Sequence, residues 1–286
     1  MTVINTNANA TITANALARN ERAMSQTMER LSTGMRINSA ADDAAGLAIS
    51  SKLTSQINGL NQASRNANDA SSMIQTADGA AIEIDNMLQR MRELSVQSAN
   101  GTNTTEDIAN LDIEFLALAT EIDRIVDATE WNGMTILDGN SGSSGEFTFQ
   151  IGANDGQTLT VDFSDFNLAA GASGTPMASD LSGAAGTTVP TITTSTANII
   201  ATLDDAIAGV ASQRATFGAA INRLAYTVDN LANVSQNTSS SRSQIQDANY
   251  ALETTELART QIIQQAGTAM LSQANQQAQS VLALLK

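Results

Sequence analysis

The chain predicts a mainly α fold: a long antiparallel helical coiled-coil bundle (a rod) with paired terminal helices and a small β-hairpin. Three observations predict it. Two apolar stripes in steps of three and four lie at the two ends: Ala14, Leu17, Met24, Met28, Leu31 and Met35, passing Glu21, and Ile263, Ala266, Met270, Ala274, Ala278, Val281 and Leu285. Such spacing puts a narrow seam along one side of a helix, which another helix must cover. A longer stripe of the same kind runs from Leu53 to Met91. Aromatics are only 3% of the 286 residues and Pro only 2, and cores of Ala, Leu, Ile and Met suit thin helical bundles.

The first helix is expected to start among Asn5–Asn9, whose short side chains can cap it, and to end near Thr33–Gly34. Ile37–Ser39 reads as a connection. A second helix opens at Ala40–Asp43, with Asp42 and Asp43 at the positive end of its dipole. Its stripe is Leu53, Ile57, Leu60, Ala63, Ala67, Ala70, Ile74, Ala77, Ala81, Ile84, Leu88 and Met91. The mean step of about 3.45 is near the 3.5 of a left-handed supercoil. Asn100-Gly101-Thr102-Asn103 breaks this helix, and Thr104-x-x-Asp107 starts a third, carrying Ile108, Leu111, Phe115, Leu118, Ile122 and Ile125. So short a break makes it an antiparallel partner of the second.

Trp131-Asn132-Gly133 and Asp138-Gly139 are turn signals. Phe147, Phe149 and Ile151 alternate, Asn154-Asp155-Gly156 turns, and Leu159, Val161 and Phe163 alternate again, which is a β-hairpin with one apolar face. Residues 169–196, rich in Gly, Ala, Ser and Thr and holding Pro176 and Pro190, read as an exposed loop. A fourth helix runs Ile200, Leu203, Ile207, Val210, Phe217, Ile221, Leu224, Val228, Leu231, with Arg214 interrupting the seam and Ser239–Ser241 softening the junction before the last helix.

The net charge of −15 argues against nucleic acid or an anionic membrane as partner. It is unevenly placed. Residues 1–52 hold five bases against four acids and residues 240–286 three against three, so the ends sum to +1 and the middle carries −16. Near-neutral ends can be buried among copies, whereas an acidic middle wants water. Cys and His are both absent, which removes disulfides, thiolate metal sites and the commonest general base. Met1–Ile4 lacks a basic n-region and no run of about 18 apolar residues exists, so a chain that leaves the cell needs a route other than a cleaved signal.

Three separated motifs resemble one family. Leu31-Ser-Thr-Gly-Met-Arg-Ile-Asn-Ser-Ala-Ala-Asp-Asp-Ala-Ala-Gly-Leu-Ala-Ile-Ser50 is similar to the N-terminal signature of bacterial flagellins, and Gln89-Arg-Met-Arg-Glu-Leu-Ser-Val-Gln-Ser-Ala-Asn100 to their next hallmark. Ala248-Asn-Tyr250, Gln264-Gln-Ala-Gly-Thr268 and Gln273-Ala-Asn-Gln276 resemble the C-terminal one. The resemblance covers roughly residues 1–139 and 197–286, as a short form without large outer variable domains. It implies a filament subunit for motility, extracellular in the bacterial flagellum and exported by the flagellar type III apparatus. Residues 1–42 and 243–286 would form a terminal coiled-coil domain lining the filament core. Residues 43–139 and 197–242 would form a helical rod domain, and 140–196 a hairpin and exposed loop as a minimal outer region. The implied partners are many copies of the chain, the flagellar cap, junction proteins, an export chaperone and host flagellin receptors, with neither nucleic acid nor membrane among them. A hook–filament junction protein and a secreted helical adhesin are the alternatives.

The stripes nominate Leu17, Met24, Leu31, Ile263, Met270, Val281 and Leu285 for self-assembly. Asp42 and Asp43 as a catalytic pair is set against the helix-start role, which accounts for both. With no nucleophile–base constellation, no enzyme is expected, and no cofactor or metal. Asp155-Gly156 is a turn, not a calcium loop. The resemblance adds Arg90, Leu94, Gln97 and Glu114 as contacts for the mammalian flagellin-sensing Toll-like receptor, against ordinary surface ion pairs. It adds Asp43 and Gly46 as positions for a plant receptor kinase. O-linked glycans on the Ser and Thr of residues 141–196 stand beside an unmodified solvated loop.

Overall fold

Helix α1, Ala8–Thr33, begins where Asn7 accepts a hydrogen bond from the Ala10 N–H and ends at Gly34, whose φ of 71° is left-handed and whose N–H reaches Arg30 O. In this computed structural model the described residues are 7–139, 142, 145–163, 166 and 196–284, without the side chains of 196–198 and 277–284. They divide into two units, one holding residues up to Ile57 and from Gln236 onward, the other Asn58–Ser235. The loop expected over residues 169–196 lies, but for Thr196, outside them.

Helix α2 is Ala44–Ser98, α3 Thr105–Ala128, α4 Thr196–Gln246 and α5 Tyr250–Leu284. The start of α2 is later than expected by one to four residues because Asp42 and Asp43 hold the turn before it. Asp43 Oδ1 accepts from the Gly46 N–H at 2.9 Å and caps the helix. The Thr104 hydroxyl accepts from the Asp107 N–H while Asp107 accepts from the Thr104 N–H, the reciprocal cap that starts α3. The Thr104 hydroxyl, donating to Asp107 Oδ2 at 2.6 Å, and then the Thr104 N–H hold the Asp107 carboxyl below its ordinary range. The serines at 239–241 do not interrupt α4, which is helical to Gln246, because a serine in a helix can bond back to its own turn, as Ser241 Oγ does to Asn237 O.

In the second unit the α2 stripe is the core. From Leu60 to Met91 each of its positions is buried; of the two stripe positions in the first unit, Ile57 is buried and Leu53 half-buried. Phe115, Ala119, Ile122 and Val126 of α3 and Leu203, Val210, Phe217 and Leu224 of α4 complete it. Across α2 and α4, Arg214 Nε donates to Asp78 Oδ1 at 3.0 Å and Arg92 pairs with Asp204, whose carboxyl that bond holds low.

Strands β1, Glu130–Trp131, and β2, Met134–Thr135, join through Asn132 and Gly133, both at positive φ, 53° and 76°. Strands β3, Glu146–Gln150, and β4, Thr158–Asp162, pair antiparallel with Phe147 opposite Val161 and Phe149 opposite Leu159. This hairpin, expected with the loop as a minimal outer region, packs one face against the core of the second unit and leaves alternate residues exposed. Leu159, Val161 and Phe163 are buried there, the Phe163 ring lying 5.1 Å from Phe147 and 5.3 Å from Phe217. Its apolar face needed a cover, and α2 and α4 provide one. Asn66 Nδ2 donates to Gln150 O at 3.0 Å and Gln213 Nε2 to Asp162 O at 2.5 Å. Gly59 leaves room for Ala153, whose Cβ lies 3.1 Å from where a side chain would start.

Candidate assembly interface

Within the first unit α1 and α5 pair antiparallel, each contact stepping up one helix and down the other. Asn7 Nδ2 donates to Ala274 O at 3.1 Å, Leu17 lies against Gly267, and Asn20 Nδ2 donates to Thr260 O at 2.8 Å. Arg30 Nη1 then meets Glu253 Oε1 at 3.4 Å. Past the helix ends Met35 and Asp247 form an antiparallel bridge. There the Arg36 N–H donates to Gln246 O at 2.7 Å and the Ala248 N–H to Gly34 O at 2.9 Å. The Gln246 side chain joins three segments, donating to Met35 Sδ at 3.0 Å and accepting from Ser50 Oγ at 2.7 Å. Asn249 caps α5 by accepting from the Ala251 N–H.

This seam is polar where it is tightest. Asn20, Thr27 and Thr260 are buried, while the nominated Leu17, Met24 and Leu31 are half-buried. On α5 the covered face is Glu253, Leu257, Thr260, Gln264, Gly267, Leu271 and Ala274, again in steps of three and four. The nominated Ile263 and Met270 are not on it. They are exposed together with Leu252, and at 100° per residue they lie about a quarter turn around the helix from the covered face. Ile12 and Met28 of α1 are likewise exposed. Thus α5 carries two faces: one satisfied by α1 through hydrogen bonds, the other apolar and uncovered. The Val281 side chain and Leu285 lie outside the described residues.

The connection between α1 and α2 is organised by Asp42. Its Oδ2 accepts from the Asn38 and Ser39 N–H groups and the Ser39 hydroxyl, and its Oδ1 from Gln26 Nε2 at 2.9 Å. Led by the Ser39 backbone bond, these hold the carboxyl below its ordinary range. Asp43 and Gly46 together form the start of α2. Any side chain at buried Gly46 would begin 2.6 Å from both Asp43 Oδ2 and Ile37 Cδ1. Each aspartate is thus engaged with polar groups around the turn and helix start.

In the second unit Arg90 pairs with Glu93 and Glu114, both at 2.9 Å, which raises its pKa, the Glu114 bond most. Arg90, Gln97 and Glu114 are exposed, whereas Leu94 is 1% exposed and belongs to the core, so it is not on that surface. Its place in the heptad of Leu88 and Met91 was the signal for this. Among the described residues no cluster of acids could hold a metal ion, and no helix is long and apolar enough to cross a membrane.

Comparison with known proteins gives concordant matches. Residues 4–142 match the bacterial flagellin N-terminal helical region, and residues 200–285 the C-terminal helical region. The chain is 44% identical to a flagellin of Halalkalibacterium halodurans over 91% of this chain and 90% of that one. It is 43% identical to a flagellin of Bacillus subtilis over 99% of each. The crystal structure of Bacillus cereus flagellin aligns at 32% identity and a TM-score of 0.48, covering 58% of this chain and 88% of that one.

Proposed function

Because the chain belongs to the bacterial flagellin family and is a structural subunit of the extracellular flagellar filament, we propose that its paired terminal helices are the surface through which copies join. The observation that carries this reading is the exposed apolar face of α5, Leu252, Ile263 and Met270, beside a seam already filled by α1. Such a face is stabilising only when covered, at about 25 cal/mol per Å² of apolar surface removed from water. A second copy supplies a cover of the same kind, and near-neutral ends let copies approach where the acidic middle would repel.

In this reading residues 1–42 and 243–286 line the filament core, and 43–139 with 197–242 form its wall. The uncovered stripe also gives a chaperone something to mask before export through the type III apparatus. The cap and junction proteins would meet the same terminal layer at its ends. A host receptor would meet Arg90, Gln97 and Glu114, which are accessible on the single chain. Seeded polymerisation followed by electron microscopy tests the central claim. Wild-type chain should extend seeds into long tubes, and a chain with Ile263→Ser and Met270→Ser should not. Normal tubes from the double variant would refute the reading.

A further inference from the structure

We propose that Asn20 sets the register in which α1 and α5 pair. A seam in steps of three and four offers nearly the same surface after a slip of seven residues, so packing alone distinguishes registers poorly. One polar chain breaks that equivalence. Glu21 Oε1 accepts from Gln264 Nε2 at 3.0 Å, Gln264 Oε1 accepts from Asn20 Nδ2 at 3.1 Å, and the same amide donates to Thr260 O at 2.8 Å. Asn20 is 9% exposed and Thr260 2%, so an amide left unmatched there would lose bonds that water could not replace. Slipped by seven in one direction, Asn20 would face Gly267 and Leu271: the Gly267 carbonyl could stand in for that of Thr260, but Leu271 has no side-chain acceptor to replace Gln264 Oε1, so that bond, which is the selective one, is lost. Slipped in the other, it would face Glu253 and Leu257 and take the carboxylate that Arg30 now holds. The Met35–Asp247 bridge does not duplicate this role. It is made of backbone groups, which any residue supplies, so it ties the segments together without selecting which residues meet. A single buried asparagine in a helical seam is a known means of fixing alignment at some cost in stability.

The test uses the absence of Cys in the chain. Spin labels on cysteines placed at exposed Arg22 and Gln273, which the observed pairing sets about 20 Å apart along the helix axis, report the axial offset of α1 and α5, with the labelled chain sparse in filaments of unlabelled wild type. The wild-type background should give one narrow distance. Asn20→Leu should add a second population displaced by about 10 Å along the helix axis, one heptad at 1.5 Å per residue. A single unchanged distance in Asn20→Leu overturns the proposal. Should the leucine chain not enter filaments, Asn20→Ala is read against the same two outcomes. The inference rests on the terminal-layer reading only for where the distance is measured. Normal tubes from the Ile263/Met270 variant would sink that reading, whereas an unshifted distance sinks this one alone.

Discussion

Thr260 and Ile263 lie three residues apart on α5, and their burial is the reverse of their polarity: the threonine is 2% exposed and the isoleucine 42%. Thr260 is tolerated inside because its hydroxyl bonds to Glu256 O and Leu257 O of its own helix, leaving its carbonyl for Asn20. Ile263 is left partly uncovered among the described residues. Ile263→Ser or Met270→Ser alone should therefore raise the critical concentration for polymerisation about tenfold or more, since a fully buried side chain of this size contributes about 1.5–3 kcal/mol. Thermal unfolding of the unpolymerised chain should hardly move. Equal critical concentrations for wild type and both variants would show that this face stays wet in the filament.

Ending the chain at Ala266 should abolish filament growth while the second unit stays folded. The cut removes Gly267, Leu271 and Ala274 from the seam and Met270 from the uncovered face, but no residue of the core built on α2, α3 and α4. Sedimentation of polymer together with a near-ultraviolet spectrum of Trp131 reads both halves. Pelleted filaments, or a lost tertiary spectrum, would contradict it.

Leu88→Asp and Ile221→Asp should differ, although both positions belong to apolar stripes. Leu88 is fully buried, and a carboxylate there has no partner, a cost of about 3–5 kcal/mol or more. Ile221 is half-buried beside an open groove lined by Ala67, Asn68, Leu224 and Val228, where an aspartate can reach water, so about 1–3 kcal/mol is expected. Urea denaturation of the two chains compares them directly, and equal losses would mean that the groove closes in solution.

Acid should loosen the α1–α2 connection through Asp42. Its folded pKa lies below its unfolded one, so its contribution is present above the ordinary carboxylate range near about pH 4 and is lost as pH falls through the lowered folded value. The amide shifts of Asn38 and Ser39, which donate to this carboxylate, should titrate with a midpoint below that of an unstructured aspartate. A midpoint at or above the ordinary value would show that the turn does not form as seen. Asp42→Asn should abolish the titration and lower the unfolding temperature at neutral pH.

Much of this architecture is legible in residue spacing, because a buried aliphatic stripe must repeat with the helix. Ile57 to Met91 shows that plainly, as does the Thr104–Asp107 cap. The α1–α5 seam is not legible in the same way. Its covered face on α5 is marked by Thr260 and Gln264, whose polarity reads as solvent-facing until Asn20 is known to stand opposite. Ile263 and Met270 do form an apolar stripe, but periodicity reports that a face needs cover without saying which helix provides it. Gln213 is similar. It sits in the gap between Val210 and Phe217 of the α4 stripe and is buried because β4 offers it the carbonyl of Asp162, a long-range partner that helical spacing cannot reveal.

The antiparallel pairing of α1 with α5 joins residues 223 to 267 positions apart. During synthesis α1 emerges long before α5, which carries the surface that completes it. A ribosome that stops anywhere before Tyr250 releases a first helix with no mate, and no local contact can substitute for it. The terminal pair thus forms only in a chain that has been made through α5. If the terminal pair is the joint proposed above, fragments that stop short of α5, however well their middle folds, lack half of it and should be kept out as defective bricks.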